Sequence, residues 1–401
     1  MFADLHAHYP MRVVTGVDPG TARELMLAPE QPTRYDGLQA LVLRIANRIG
    51  NFPGWDKTYR IDPQKLKEGE VGLAFSVLFR PFQEMDLKKH YAAPPDANYF
   101  DLLLGDLEAV EAEVADHGPD VIRIVTSNTE LEAAITAKVP ALIHAVEGGF
   151  HLGDSPAEVE ANCGVLKSRG VGYVTVAHLF FRQVATNANA LPFLPDPLYG
   201  IVFPQRGGER LTARGKAMIS GLVENRILPD LSHMDPPAID QTLAYMDKID
   251  PGRTMPVLST HAGYRFGKQR YMHDAPTLRK IADRGGVVGL IMAQHQLNDG
   301  LLPKGTHTET IEESMPILFQ HIDKIKEATG SYDHIALGTD LDGFIKPSIG
   351  GIENISDLPA LAPRLTDRYG REVAEQIMWG NAFNVIQRVW SDAAAAGGSP
   401  E

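Results

Sequence analysis

Nine short runs of apolar, often β-branched residues punctuate the chain, at 2–8, 71–79, 121–127, 141–147, 171–178, 227–233, 257–261, 286–292 and 334–340. Longer segments with helical periodicity lie between them. A strand that must return through a helix before the next strand begins pairs in parallel, so this alternation restricts the chain to a βα architecture. A closed (β/α)8 barrel of the TIM type needs eight strands. The run at 121–127 follows a long irregular stretch and is expected to be ancillary. The competing doubly wound sheet is disfavoured, because no Gly-x-Gly-x-x-Gly turn follows the first strand.

Helix punctuation agrees with this reading. Asp154-Ser155-Pro156 supplies an N-cap with proline in the first turn, and Gly170 ends that helix. Thr212 opens a segment in which Met218, Ile219, Leu222 and Val223 form an apolar stripe. Asp274-Ala275-Pro276 opens another, which stops at Gly285-Gly286. The expected organisation is one domain over residues 1–390 with insertions at about 10–70 and 179–211, followed by a flexible tail at 391–401. Insertions of that length often serve as lids or substrate walls.

The polar residues that end the apolar runs point to chemistry. His6 and His8 close the first, Glu147 the fourth, and His178, His233, His261 and Asp340 four others. In a parallel barrel the C-terminal strand ends converge on one mouth, so these seven residues become neighbours. His6 and His8, spaced i and i+2, face the same side of a strand and can hold one ion together. Imidazole with carboxylate suits zinc foremost, with nickel, cobalt or manganese as alternatives. His144 should face away from Glu147. His151 and His295 read as loop or supporting positions, and His90, His117, His307 and His321 as surface residues.

Composition removes other classes. A net charge of −13 with no Lys/Arg cluster offers no face for nucleic acid. A single Cys163 allows neither an internal disulfide nor a thiolate zinc site. No run of about 18 uncharged apolar residues and no secretory signal is visible, so the chain reads as soluble and cytoplasmic, with no membrane contact.

The motifs Ala145-Val146-Glu147-Gly148-Gly149, Thr175-Val176-Ala177-His178, Asp230-Leu231-Ser232-His233, Ser259-Thr260-His261 and Gly338-Thr339-Asp340-Leu341-Asp342-Gly343 resemble those of the membrane (renal) dipeptidase family of the amidohydrolase superfamily. The stretch 211–216 leading into Asp230 extends the resemblance, as does Trp379-Gly380-Asn381 near the end. The resemblance implies a distorted (β/α)8 barrel with two zinc ions, a dipeptide substrate and in some relatives a homodimer. It implies that His6, His8 and Asp340 serve one metal, Glu147 bridges, and His233 and His261 serve the second. By the same resemblance His178 polarises the reacting carbonyl, and Arg270 binds the substrate's terminal carboxylate.

One position departs from the family: His8 stands where Asp is usual. Two divalent ions with Glu147 and Asp340 leave a charge of about +2, where a further Asp would leave about +1. Metal stoichiometry and substrate preference therefore depend on His8. The expected activity is peptide-bond hydrolysis of dipeptides by a metal-bridging hydroxide, with D-residues tolerated on the C-terminal side. Asp340 would shuttle the proton and His178 stabilise the oxyanion. The alternative is hydrolysis of another small amide, lactam, lactone or N-acyl amino acid by the same metal ligands.

Overall fold

The computed structural model describes residues 1–14, 59–79, 99–191, 194–205, 210–343 and 348–396. Most of the insertion expected at 10–70 lies outside these residues, as does His90.

The strands are β1 Phe2–Ala7, β2 Val71–Leu78, β3 Arg123–Ile124, β4 Ala141–Glu147, β5 Tyr173–Thr175, β6 Leu228–Asp230, β7 Leu258–Ala262, β8 Val287–Leu290 and β9 Ile335–Leu337. All pair in parallel, in the order β2-β1-β9-β8-β7-β6-β5-β4-β3. β2 also pairs with β4, from Leu73↔Ala141 to Leu78↔Val146. That contact closes an eight-stranded barrel and leaves β3 outside it, two residues long and, among the described strands, paired with β4 alone. The run at 121–127 is thus the ancillary one, and the fold is a (β/α)8 barrel.

The barrel strands are buried along their whole length, apart from Gly72 near the start of β2. This burial on both faces explains their near-continuous apolar runs. Helices wrap the outside, among them Tyr99–His117, Pro156–Ser168, Ala213–Glu224, Pro236–Ile249, Ala275–Asp283 and Ile311–Thr329. Ser155, Thr212 and Asp274 cap three of them by accepting a backbone N–H three residues on. Gly170 and Gly285 take the positive φ, 73° and 66°, that ends two of those helices. The last helix, Asn381–Ala396, runs past residue 390, and Asn381 donates to the Tyr332 and Ile335 carbonyls at 2.7 Å each, which ties this helix to β9.

Three strands are shorter than the sequence pattern suggests. β5, β6 and β9 stop before His178, His233 and Asp340 respectively. His233 and Asp340 have φ of 65° and 57°, a left-handed backbone that no strand accommodates. These side chains stand on the first turn beyond the strand, where strained conformations often accompany function.

Candidate metal centre

At the barrel mouth, Glu147 at the end of β4 is the hub. Its Oε1 lies 3.3 Å from Nε2 of His6, 3.2 Å from Nε2 of His233 and 3.5 Å from Nε2 of His261. Its Oε2 lies 3.5 Å from Nε2 of His8 and 3.3 Å from Nε2 of His178. Asp340 Oδ1 is 3.1 Å from Nε2 of His8 and 3.9 Å from Nε2 of His6. All seven side chains are buried. The seven residues that end the apolar runs therefore do meet.

The electrostatics follow from crowding. Burial alone would push the Glu147 carboxyl up, but the imidazoles of His178 and His6 outweigh it and hold the group well below the usual range. Burial disfavours the charged His6 ring, yet Glu147 reverses the balance and raises it. Burial and neighbouring rings lower His261 strongly, and burial with His178 lowers His233. Those two imidazoles are neutral at physiological pH, the form that binds metal.

The donor set fits divalent ions. Two ligand atoms of one tetrahedral zinc, each about 2.0–2.1 Å from it, lie about 3.3 Å apart. The Nε2 atoms of His6 and His8 are 3.2 Å apart, and those of His233 and His261 are 2.9 Å apart. Triads whose ligand atoms converge include His6, His261 and Asp340; His6, His8 and Glu147; and Glu147, His178 and His233. His178 thus approaches Glu147 as closely as His6 and His233 do.

Over residues 31–397 the sequence matches the profile described as membrane dipeptidase, peptidase family M19. The chain belongs to the membrane dipeptidase family. It is a metal-dependent peptide-bond hydrolase of the dipeptidase type. An uncharacterized protein in the pqqA 5′ region of Klebsiella pneumoniae is 28% identical over 70% of this chain and 94% of its own. The dipeptidase ataJ of Aspergillus terreus is 23% identical over 82% of this chain and 76% of its own. A metallopeptidase structure from Rhodobacter sphaeroides, liganded with a phosphinate mimic of the dipeptide L-Ala-D-Ala, shares the fold with a TM-score of 0.68 at 19% identity, covering 97% of this chain and 99% of that one. The probable dipeptidase PvdM of Pseudomonas aeruginosa gives 0.64 at 16% identity, covering 89% and 100%.

Arg270 stands apart from the dipeptidase cluster. Its guanidinium is half exposed and 3.8 Å from the Asp235 carboxylate, and the Arg270 backbone N–H donates to the Asp196 carboxylate at 3.2 Å. The next residue, Tyr271, packs edge-on against His233 with ring centroids 5.0 Å apart and donates to the His261 carbonyl at 2.8 Å. Arg270 is therefore on the rim, next to the cluster in the chain. Two described residues of the 179–211 insertion, Asn187 and Ala188, reach the same rim. Asn187 bridges Met234, and the Ala188 N–H donates to the His233 carbonyl at 2.6 Å.

The remaining histidines separate as their contacts dictate. His144 faces outward, 3.7 Å from Glu111, and His151 bonds the Gly148 carbonyl at 2.7 Å. His117 pairs with Glu113 at 2.8 Å, and His307 is exposed. His321 corrects the sequence reading: it is buried, accepting from the Tyr264 N–H at 3.0 Å and donating to the Leu297 carbonyl at 3.0 Å. It lies on the inward stripe of helix Ile311–Thr329 with Leu318, Ile322 and Ile325, between the polar Gln320 and Asp323. Phe79, which the sequence did not mark, packs edge-on against both His8 and His178, with centroids 5.2 and 5.1 Å away.

Among the described residues no helix is long and apolar enough to cross a membrane.

Proposed function

We propose that this family member hydrolyses dipeptides with two zinc ions at the barrel mouth. The observation that carries the reading is Glu147, one buried carboxylate whose two oxygens meet five imidazoles from four strand ends. His6, His8 and Asp340 would hold one ion, His233 and His261 the other, and Glu147 would bridge. When bound, such a pair supplies Lewis acidity, acidifying a shared water to hydroxide and polarising the scissile carbonyl.

The chain's own groups do the rest. Asp340 accepts the proton released as water attacks and returns it to the departing amine. His178 donates from Nε2 to the carbonyl oxygen as negative charge develops there, a contribution of about 3 kcal/mol for one such donor. Arg270 grips the free C-terminal carboxylate with its planar fork, which favours release of the C-terminal residue over cleavage of an internal bond. The Rhodobacter relative, bound to a mimic of L-Ala-D-Ala, supports tolerance of a D-residue on the C-terminal side.

The test is a dipeptide panel, D-residue C-termini included, offered to the zinc-loaded wild type and to Asp340→Asn. The wild type cleaves, and the variant keeps most of its metal but loses turnover. A metal-loaded wild type that cleaves nothing refutes the substrate class, and an Asp340→Asn variant with unchanged turnover refutes the proton shuttle.

A further inference from the structure

Adjacent residues of a strand point to opposite faces, yet Thr260 and His261 reach the same cluster. The Thr260 hydroxyl lies 2.9 Å from Nδ1 of His261 and 3.0 Å from Nδ1 of His6. The register of β7 against β8 shifts between Ser259 and Ala262. Such an irregularity re-aims a side chain. Neighbouring strands make room for it: a Cβ on Gly289 or Gly338 would fall 2.0 or 1.6 Å from the Thr260 carbonyl oxygen.

Asp230, fully buried at the end of β6, organises the other side of Thr260. Its carboxylate accepts from the Thr260 N–H at 2.9 Å and hydroxyl at 2.8 Å, and from the Thr175 hydroxyl at 2.7 Å. It also accepts from the Ser232 N–H at 3.1 Å and hydroxyl at 2.9 Å. A carboxylate only accepts, so the Thr260 proton is committed to Asp230 and only oxygen lone pairs face the imidazoles. Nδ1 of His261 must then donate, since a lone pair there would oppose another lone pair, and Nδ1 of His6 faces the same oxygen together with a Tyr173 hydroxyl that can accept from it. Nε2 of both rings is left unprotonated and aimed at Glu147.

We propose that Thr260, oriented by Asp230, is a positioning residue that sets the Nε2-binding tautomer of His6 and His261 together, tying both metal positions to one hydroxyl. The proposal rests on the two-metal reading above. Outer partners of this kind orient a ligand and raise its basicity. The two rings depend on Thr260 unequally. His6 Nδ1 also lies 2.8 Å from the Tyr173 hydroxyl. His261 Nδ1 has Thr260 alone among the described residues.

Zinc-loaded protein labelled with [15N]histidine tests this directly through ring nitrogen–proton correlation spectra, with zinc affinity measured by chelator competition. In the wild type, His6 and His261 should both carry the proton on Nδ1 and the metal on Nε2. Thr260→Val should expose the His261 Nδ1 proton to solvent exchange and weaken the zinc served by His261 by about 10–100-fold, the usual effect of losing such a partner. The His6 position should change less until Tyr173→Phe is added, and Thr260→Ser should restore both. A wild-type spectrum with metal on Nδ1 of either ring overturns the proposal, even if Thr260→Val fails to fold. Unchanged affinity at both positions in a folded Thr260→Val overturns it as well. A wild type that binds no zinc fails the two-metal reading instead.

Discussion

Gly343 is the position where a single methyl group should cost the most chemistry for the least structural damage. A Cβ built there would lie 2.0 Å from Asp340 Oδ1 and 2.7 and 2.8 Å from Cδ2 and Nε2 of His8. Gly343 has no positive φ, so alanine is compatible with its backbone and the effect is steric. Ordinary contact begins at 3.4 Å, so the carboxylate must retreat by about 1.4 Å from its place beside His8. A misplacement of about 1 Å near reacting groups costs on the order of 100-fold, or about 2.7 kcal/mol of transition-state stabilisation. Gly343→Ala should therefore lower kcat/KM for a dipeptide about 100-fold, reduce metal retention at the His6/His8/Asp340 position and barely change the melting temperature. Steady-state kinetics with metal analysis on the same sample decide it. A variant within twofold of wild type in kcat/KM refutes the placement of Asp340 and His8 in the reaction.

Arg270→Ala should raise KM for dipeptides about tenfold or more with kcat little altered, and should change nothing for a substrate whose C-terminal carboxylate is amidated. Equal losses on both substrates contradict carboxylate recognition. Stability should fall as pH drops from about 6.5 toward 4. Burial pushes His144, His273 and His321 down from 6.5 to about 4, so the unfolded chain binds protons in this window that the folded chain refuses. The slope is at most about 1.4 kcal/mol per pH unit for each ring. Melting temperature against pH reads it, and a flat profile through that window contradicts the neutral, buried state of these rings.

The barrel was legible because buried parallel strands are mostly apolar along their length, and β2, β4 and β8 carry that signature plainly. The ancillary β3 could be singled out from the irregular stretch before it. The metal cluster was legible for a related reason: His6, Glu147 and His261 interrupt apolar runs where only a function justifies a polar side chain. His233 and Asp340 fell one turn further along than the pattern suggested, since left-handed φ is invisible in a run of residue types. His321 escaped because Gln320 and Asp323 beside it are polar, although its spacing from Leu318, Ile322 and Ile325 puts it on the inward stripe of its helix. Thr260 and Asp230 stand inside the motifs that carry the resemblance, but their role as partners of the histidines was not legible there. Their importance arises from a register shift in β7 and from contacts 30 and 254 residues apart in sequence, and no local pattern encodes either. Arg270 was placed through resemblance alone.

The central claim is a two-ion site in which His8 replaces a carboxylate, and metal content measured against dipeptide turnover tests it most directly. Metal-depleted wild type titrated with zinc should gain activity until two ions per chain are bound, while His8→Asp should reach the same stoichiometry at lower zinc concentration because it adds a negative charge. Full activity at one ion per chain in the wild type, or none at two, would contradict the account.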